Sequence, residues 1–255
     1  NIYLSKNINE NKISTFKYLG SDYTFRKKLF SLAWKNGISS FLTIGLTNFT
    51  GLIYAQIGNI SSVNSYLLAL RILNLLRDFS KGPYYSKIPL LSKLRAEGKI
   101  SELLLLSKKN MTLSNGIFLI GSLLIGIFSN NLLKLISSNV NFIDYNLWVL
   151  LSIAYFIQRY SGMHMQLYLT TNHIISHIVD SVSGIIFIIL TLICFGNLGL
   201  YSIPISMIIS YLCFSAWVSA RFSLKSIKQT FWEFDRINLF LFVMITSIQI
   251  IISFV

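Results

Sequence analysis

Residues Gly184 to Cys194 read GIIFIILTLIC, and the reading of this run decides the fold. It carries no charge, and its apolar residues do not alternate with polar ones. A lipid-facing β-barrel strand alternates between lipid and lumen, so the run is not such a strand. Widened to residues 174–195, it supplies the roughly 20 apolar residues that a helix needs to cross about 30 Å of hydrocarbon. A helix also satisfies its own backbone groups, which lipid demands. By the same measure, further spans are expected at 30–57, 64–90, 112–137, 147–169, 200–222 and 238–255. The expected fold is therefore all-α, a polytopic transmembrane helical bundle of about seven spans.

Composition agrees with that reading. Of 255 residues, 53% are hydrophobic and only 12% charged, and the mean hydropathy is +0.61. A soluble domain carries about 25% charged residues, so a soluble enzyme, a disordered chain and a disulfide scaffold are excluded. Cys194 and Cys213 both lie in apolar runs and say nothing about redox compartment. The chain starts at Asn1, has no signal-peptide pattern and ends at Val255 inside an apolar run, so a piece of a longer protein is expected.

The net charge of +13 reads as topology rather than as a nucleic-acid surface. Fifteen of the 22 basic residues fall in three segments: Lys6 to Lys28, Lys93 to Lys109 and Arg221 to Arg236. The short loops near 58–64, 138–146 and 196–201 have no Lys or Arg. The basic side faces the cytoplasm, which places the N-terminus inside and the C-terminus outside. Seven-span receptors have the opposite orientation. Trp34, Trp217 and Trp232 are expected near the cytoplasmic interface and Trp148 near the outer one, as an aromatic belt. Lys35, Lys87 and Lys134 are close enough to span ends to snorkel.

Arg71, Arg77, Asp78, Lys81 and Arg159 lie deeper. A central ionised side chain costs roughly 2.5–3.5 kcal/mol even on the lenient insertion scale. On a helical wheel, Arg71, Arg77, Asp78 and Lys81 share an arc of about 120°, opposite Leu73, Leu76 and Tyr84. Gly82, Pro83 and Pro89 follow, so a bend or break is expected there. Two readings stand. Asp78 neutralises one neighbour in an internal ion-pair network, or the surplus cations line a cavity for an anion such as phosphate or pyrophosphate. His173, His177 and Asp180, with offsets of four and seven, share a face at the start of the fifth span. They suit a proton relay or a metal, and equally a polar helix start at the interface. His164, near the end of the fourth span, is similarly open. No catalytic motif, cofactor loop or metal-binding pattern is present in a confirming context. Gly116, Gly121 and Gly126 read as packing residues.

The stretch WKNGISSFLTIGLTNFTGLIYAQIG from Trp34, with YLLALRILNLLRDFSKGPYYSKIPLLSKLRAEGK from Tyr66 to Lys99, resembles the second half of bacterial Wzx-type polysaccharide flippases. These belong to the MOP superfamily, with the MATE exporters. IPLLSKLRAEGK is the most telling piece, and the helix pair joined by Gly196 and Gly199 is similar as well. The resemblance covers about residues 28–225. It implies a two-bundle transporter of which this chain holds the second bundle. Residues 1–28 would be the cytoplasmic inter-bundle loop, 29–225 the six-span C-terminal bundle, and 226–255 an interfacial segment plus a further, truncated span.

The implied activity is alternating-access transport, in the bacterial inner membrane, of an oligosaccharide linked to undecaprenyl pyrophosphate. Such cargo serves O-antigen, lipopolysaccharide and other surface polysaccharides, with a polymerase and a chain-length regulator as implied partners. Arg71, Arg77, Lys81 and Arg159 would hold the pyrophosphate and Asp78 would orient them. His164, His177 and Asp180 are the candidates for proton or ion coupling. No enzymatic activity, cofactor or nucleic-acid partner is implied. The competing readings are a MATE-like small-molecule exporter, which wants an anionic cavity, and a membrane-embedded polymerase or acyltransferase, which wants a large outer loop.

Overall fold

Two prolines set the first landmark. The structure, a computed structural model, describes residues 60–135 and 141–254, and before them the helical positions Lys27, Phe30, Ala33, Trp34 and Gly37. Helix α1 (Ile60–Tyr85) runs through Pro83 and stops within the same turn. Helix α2 (Ile88–Ala96) begins with Pro89 in its first turn, where a missing N–H leaves no intrahelical bond unmade. The expected break thus falls just after Gly82–Pro83 rather than at it. Apart from the five early positions, the expected loop 1–28 and the span 30–57 lie outside the described residues, as do the Lys35 and Lys134 side chains.

Helix α3 (Ile100–Leu135) is 36 residues long, about 54 Å at 1.5 Å per residue. It starts well before the expected span at 112, so Lys108 and Lys109 sit on a helix, not in a loop. In the turn from α2 to α3, Lys99 lies 2.9 Å from Glu97. Its ammonium holds that carboxyl below the usual range. Helix α4 (Tyr145–Leu169) is capped by Asp144, whose carboxylate accepts from the Asn146 and Leu147 N–H groups.

Helix α5 (Ser176–Leu198) ends at Gly199, whose φ of 52° reverses the chain at little cost because glycine has no Cβ. After a 3₁₀ turn (Gly199–Tyr201), α6 (Ser202–Ser210), a π-helical stretch (Tyr211–Ala216) and α7 (Trp217–Ser226) continue in sequence. α5 packs along α6, so the glycine pair makes the expected helical hairpin. Helix α8 (Phe231–Ser253) opens with a capping box between Thr230 and Glu233, earlier than the expected start at 238. No strand occurs among the described residues.

Three stretches among the described residues are long and apolar enough to cross a membrane: Ile100–Asn131, Ser176–Ser226 with its reversal, and Phe231–Ser253. That is the composition of a membrane protein. Helices α1 and α4 stand where spans were expected, but they are not among the three, because charged and polar residues dilute them. The count of about seven is therefore not reached on composition.

Packing leaves much of the most apolar surface facing outward. The most apolar windows of α5–α7 and α8 are only 28% and 22% buried. On α5, Ile185, Ile188, Ile189, Leu192 and Ile193 form an exposed stripe at helical spacing. Beside two apolar clusters, around Trp148 and around Phe234, the interior also holds Ser107, Ser114, Asn115, Ser122, Ser161, Ser219, Ser223, Asp235 and Asn238, all almost fully buried. Small residues let helices approach closely, and their hydroxyls bond across helices where lipid offers no partner. Helix α4 is the hub, packed against α1, α3, α6, α7 and α8.

The tryptophans divide differently from expectation. Trp34, Trp217 and Trp232 are exposed, but Trp148 is fully buried and donates from Nε1 to the Ser122 carbonyl at 3.0 Å. It is a core residue and no part of a belt. Gly126 lies directly against it: a Cβ there would fall 2.8 Å from Trp148 Nε1. A Cβ at Gly121 would meet the end of Leu76, while at Gly116 it would meet nothing.

Candidate functional site

The charged arc of α1 is its exposed arc. Arg71, Leu75, Asp78, Phe79 and Gly82 form the outward stripe, with Arg77 and Lys81 half-buried at its margin. The opposite side holds Leu73 and Tyr84, both fully buried against neighbours. Asp78 was expected to neutralise one cation but engages two: Arg77 Nε at 3.0 Å and Lys81 Nζ at 3.2 Å from the same Oδ1. Its own side chain remains 61% exposed, so water or a ligand can compete for it. Aromatic rings back both cations. The Arg77 guanidinium lies 5.7 Å from the Tyr155 ring centroid and the Lys81 ammonium 5.8 Å from that of Tyr85. Arg71 stands exposed one turn and more away.

Arg159 occupies a different setting. It is 2% exposed, behind α1, with NH2 donating to the Ser80 carbonyl at 2.9 Å. In a regular helix the Tyr84 N–H serves the Ser80 carbonyl. Here the Tyr84 N–H also finds Ser114 Oγ on α3 at 3.2 Å, while the Ser80 carbonyl takes the guanidinium from α4. Phe118 covers the guanidinium face at 5.3 Å.

From Arg159 a chain of buried side chains crosses the molecule. Its NH1 donates to Asn115 Oδ1 (3.4 Å), Asn115 Nδ2 to Asn238 Oδ1 (3.1 Å), and Asn238 Nδ2 to Asp235 Oδ1 (2.9 Å). Every donor points the same way, from the guanidinium towards the carboxylate. The other carboxylate oxygen, Oδ2, accepts from Tyr160 at 2.9 Å and lies 3.1 Å from His164 Nε2. His164 Nδ1 lies 3.1 Å from Ser223 Oγ. Four helices, α3, α4, α7 and α8, and one turn of α1 are thereby joined through polar groups.

Asp235 also reaches a pocket of about 220 Å³ between α4, the π-helical stretch, α7 and α8. Phe156, Tyr160, Trp217, Phe231 and Phe242 wall it, and Asn238 stands beside Asp235 in its lining.

The structure therefore brings Arg77, Asp78 and Lys81 together, and joins Arg159 to His164 through partners outside the expected set. His177 and Asp180 are half-buried on α5. His173 precedes that helix, is exposed and pairs with Thr171, so the three do not share a helical face. Among the described residues no three His, Cys, Asp or Glu side chains converge as metal ligands would. Asp235, Asn238 and Asn115 escaped the sequence reading, although Asp235, Asn238, Thr246 and Gln249 fall on one narrow face of an apolar helix.

The helical fold and its long, outward-facing apolar stretches define a helical membrane protein with buried ionisable groups. No protein-family model, curated protein or solved structure matches the chain.

Proposed function

We propose that the chain forms the second bundle of a two-bundle MOP-type transporter, with the cationic arc of α1 facing the path of an anionic cargo. The observation that carries this reading is the charge count on that arc. Arg71, Arg77 and Lys81 stand against one acid, Asp78, which is itself largely exposed. Surplus cations on the exposed arc of a bundle helix mark a route for anions, since an ionisable group turned to lipid there is expensive unless it has a partner. A pyrophosphate suits this arc: Arg grips it with two parallel bonds and Lys acts as a point charge. With the sequence resemblance, the cargo is an undecaprenyl-pyrophosphate-linked oligosaccharide, and the activity is flipping across the bacterial inner membrane. Seven spans, with α4 at the centre of the bundle and α1 turning its charged arc to the cargo path, suit that role. Their polar content would be costly against lipid and is not costly beside a water-filled path. The protein is then a carrier and not an enzyme.

One observation favours a second reading, a cation-coupled exporter of small molecules. The aromatic-walled pocket ends on an acid, Asp235, and so has the polarity an organic cation wants.

The test is deletion of the gene in its host, followed by complementation with wild type, Arg77→Ala and Lys81→Ala. Lipid-linked oligosaccharide on each leaflet is then measured. The flippase reading expects cytoplasmic-side accumulation in the deletion strain, rescue by wild type and no rescue by either variant, at equal membrane levels. Normal lipid-linked units with impaired efflux of a cationic dye would establish the exporter instead. Periplasmic accumulation would point to a polymerase.

A further inference from the structure

We propose that His164 and Asp235 form a proton-binding site. Its protonation state would be felt at Arg159, and hence at the α1 turn around Ser80, through Asn238 and Asn115. The geometry carries this. Both side chains are fully buried, 3.1 Å apart, on different helices. The carboxylate has two competing sources of positive charge. One is Arg159, whose charge arrives through two amides all donating towards Asp235. The other is His164 itself, once its imidazole gains a proton. With His164 neutral, Asp235 balances Arg159 and the set carries no net charge. When one proton binds, the imidazolium pairs directly with Asp235, and the set carries one positive charge, located at Arg159.

Amide chains of this kind polarise cooperatively in a low-dielectric interior, so a change at one end alters the bonds at the other. The group at that far end is the Ser80 carbonyl, on the helix that carries Arg77 and Lys81. Other groups around His164 are Tyr160 on its own helix, Ser223 on α7 and the Phe234 ring on α8. Along this chain of contacts, His164, Tyr160, Asp235 and Arg159 are the titratable members. The pocket lined by Tyr160 and Asp235 gives the pair an approach from outside the core. The proton site does not depend on which cargo the transporter carries.

The chain has three histidines, which makes the test direct. The protein carrying His173→Gln and His177→Gln, ¹⁵N-labelled at histidine and placed in lipid nanodiscs, leaves His164 as the one histidine signal. Its protonation is followed by NMR from pH 4 to pH 9. The expected result is a single reversible titration that moves to lower pH in Asp235→Asn, where the anion is gone. It moves to higher pH in Arg159→Gln and in Asn115→Leu, where the competing charge is removed or disconnected. The shift expected is about one pH unit, a tenfold change in proton affinity. A His164 signal that stays in one protonation state across the range overturns the site. A titration that responds to Asp235→Asn but to neither Arg159→Gln nor Asn115→Leu overturns the link to Arg159. If Arg159→Gln does not fold, Asn115→Leu, which leaves every charge in place, decides alone.

Discussion

Replacing Arg159 by Met should be among the most damaging single changes in the bundle, and the loss should shrink when Asp235 is neutralised as well. Arg159 is 2% exposed and gives one good bond, to the Ser80 carbonyl at 2.9 Å, and one long bond, to Asn115 at 3.4 Å. A hydrogen bond involving a charged group contributes roughly 1.5–3 kcal/mol, and only the first approaches that range. The larger part of the cost comes from Asp235, fully buried and left with no cation but a protonatable histidine. Breaking a buried charge pair on one side costs about 3–5 kcal/mol. Asp235→Asn keeps the shape and several bonds but strands the buried Arg159 guanidinium in its turn, and should likewise cost about 3–5 kcal/mol. In the double variant no charge is stranded, so the combined loss should fall short of the sum by roughly 0.5–3 kcal/mol. The assay is reversible unfolding in mixed micelles, read by far-UV circular dichroism on all four proteins. Additivity to within about 0.5 kcal/mol would refute the reasoning, because the two charges would then not be coupled through Asn115 and Asn238.

Two further changes probe the packing. Arg95 was read as a topology charge, yet its guanidinium bonds Thr170 Oγ1 (2.6 Å) and both the carbonyl and hydroxyl of Ser226 (3.2 Å each). Arg95→Lys should therefore destabilise the ends of α4 and α7 by about 1–3 kcal/mol, since an ammonium cannot reproduce the fork; faster amide exchange at residues 165–170 and 222–227 is the readout. Gly126→Ala drives a methyl into Trp148 and should cost about 1–3 kcal/mol in the same unfolding assay. Gly116→Ala, with open space around it, should be neutral or slightly stabilising.

Much of the architecture was legible from hydropathy and punctuation. The GIIFIILTLIC helix and the inward side of α1 follow from an apolar run and a helical wheel, and the helix pair joined at Gly199 was part of the family resemblance. Helix ends were less legible. The starts of α3 and α8 were placed too late because Lys108, Lys109 and Asp235 interrupt the hydropathy, although the Thr230–Glu233 capping box marks the second start. The charged arc on α1 could be read because its members share one helix. The His164–Asp235–Asn238–Asn115–Arg159 chain could not, because its members sit on three helices and meet only after packing. Two of its members were present as a pattern all the same: a polar stripe on an apolar helix faces inward, and Asp235 and Asn238, with Gln249, are such a stripe. Trp148 misled for the same reason: at an expected span end it reads as a belt residue until the Ser122 carbonyl appears beside it.

The central claim is that the cationic arc of α1 carries an anionic lipid-linked cargo, and transport in reconstituted vesicles tests it most directly. Purified protein in liposomes would be given undecaprenyl-pyrophosphate-linked oligosaccharide in one leaflet, and its appearance in the other followed with time. The account predicts transfer by the wild type and at least about tenfold slower transfer by Arg77→Gln and by Lys81→Gln, the loss of one charge-assisted contact to the phosphate. Transfer at the protein-free rate by the wild type, or undiminished transfer by both variants, would contradict it.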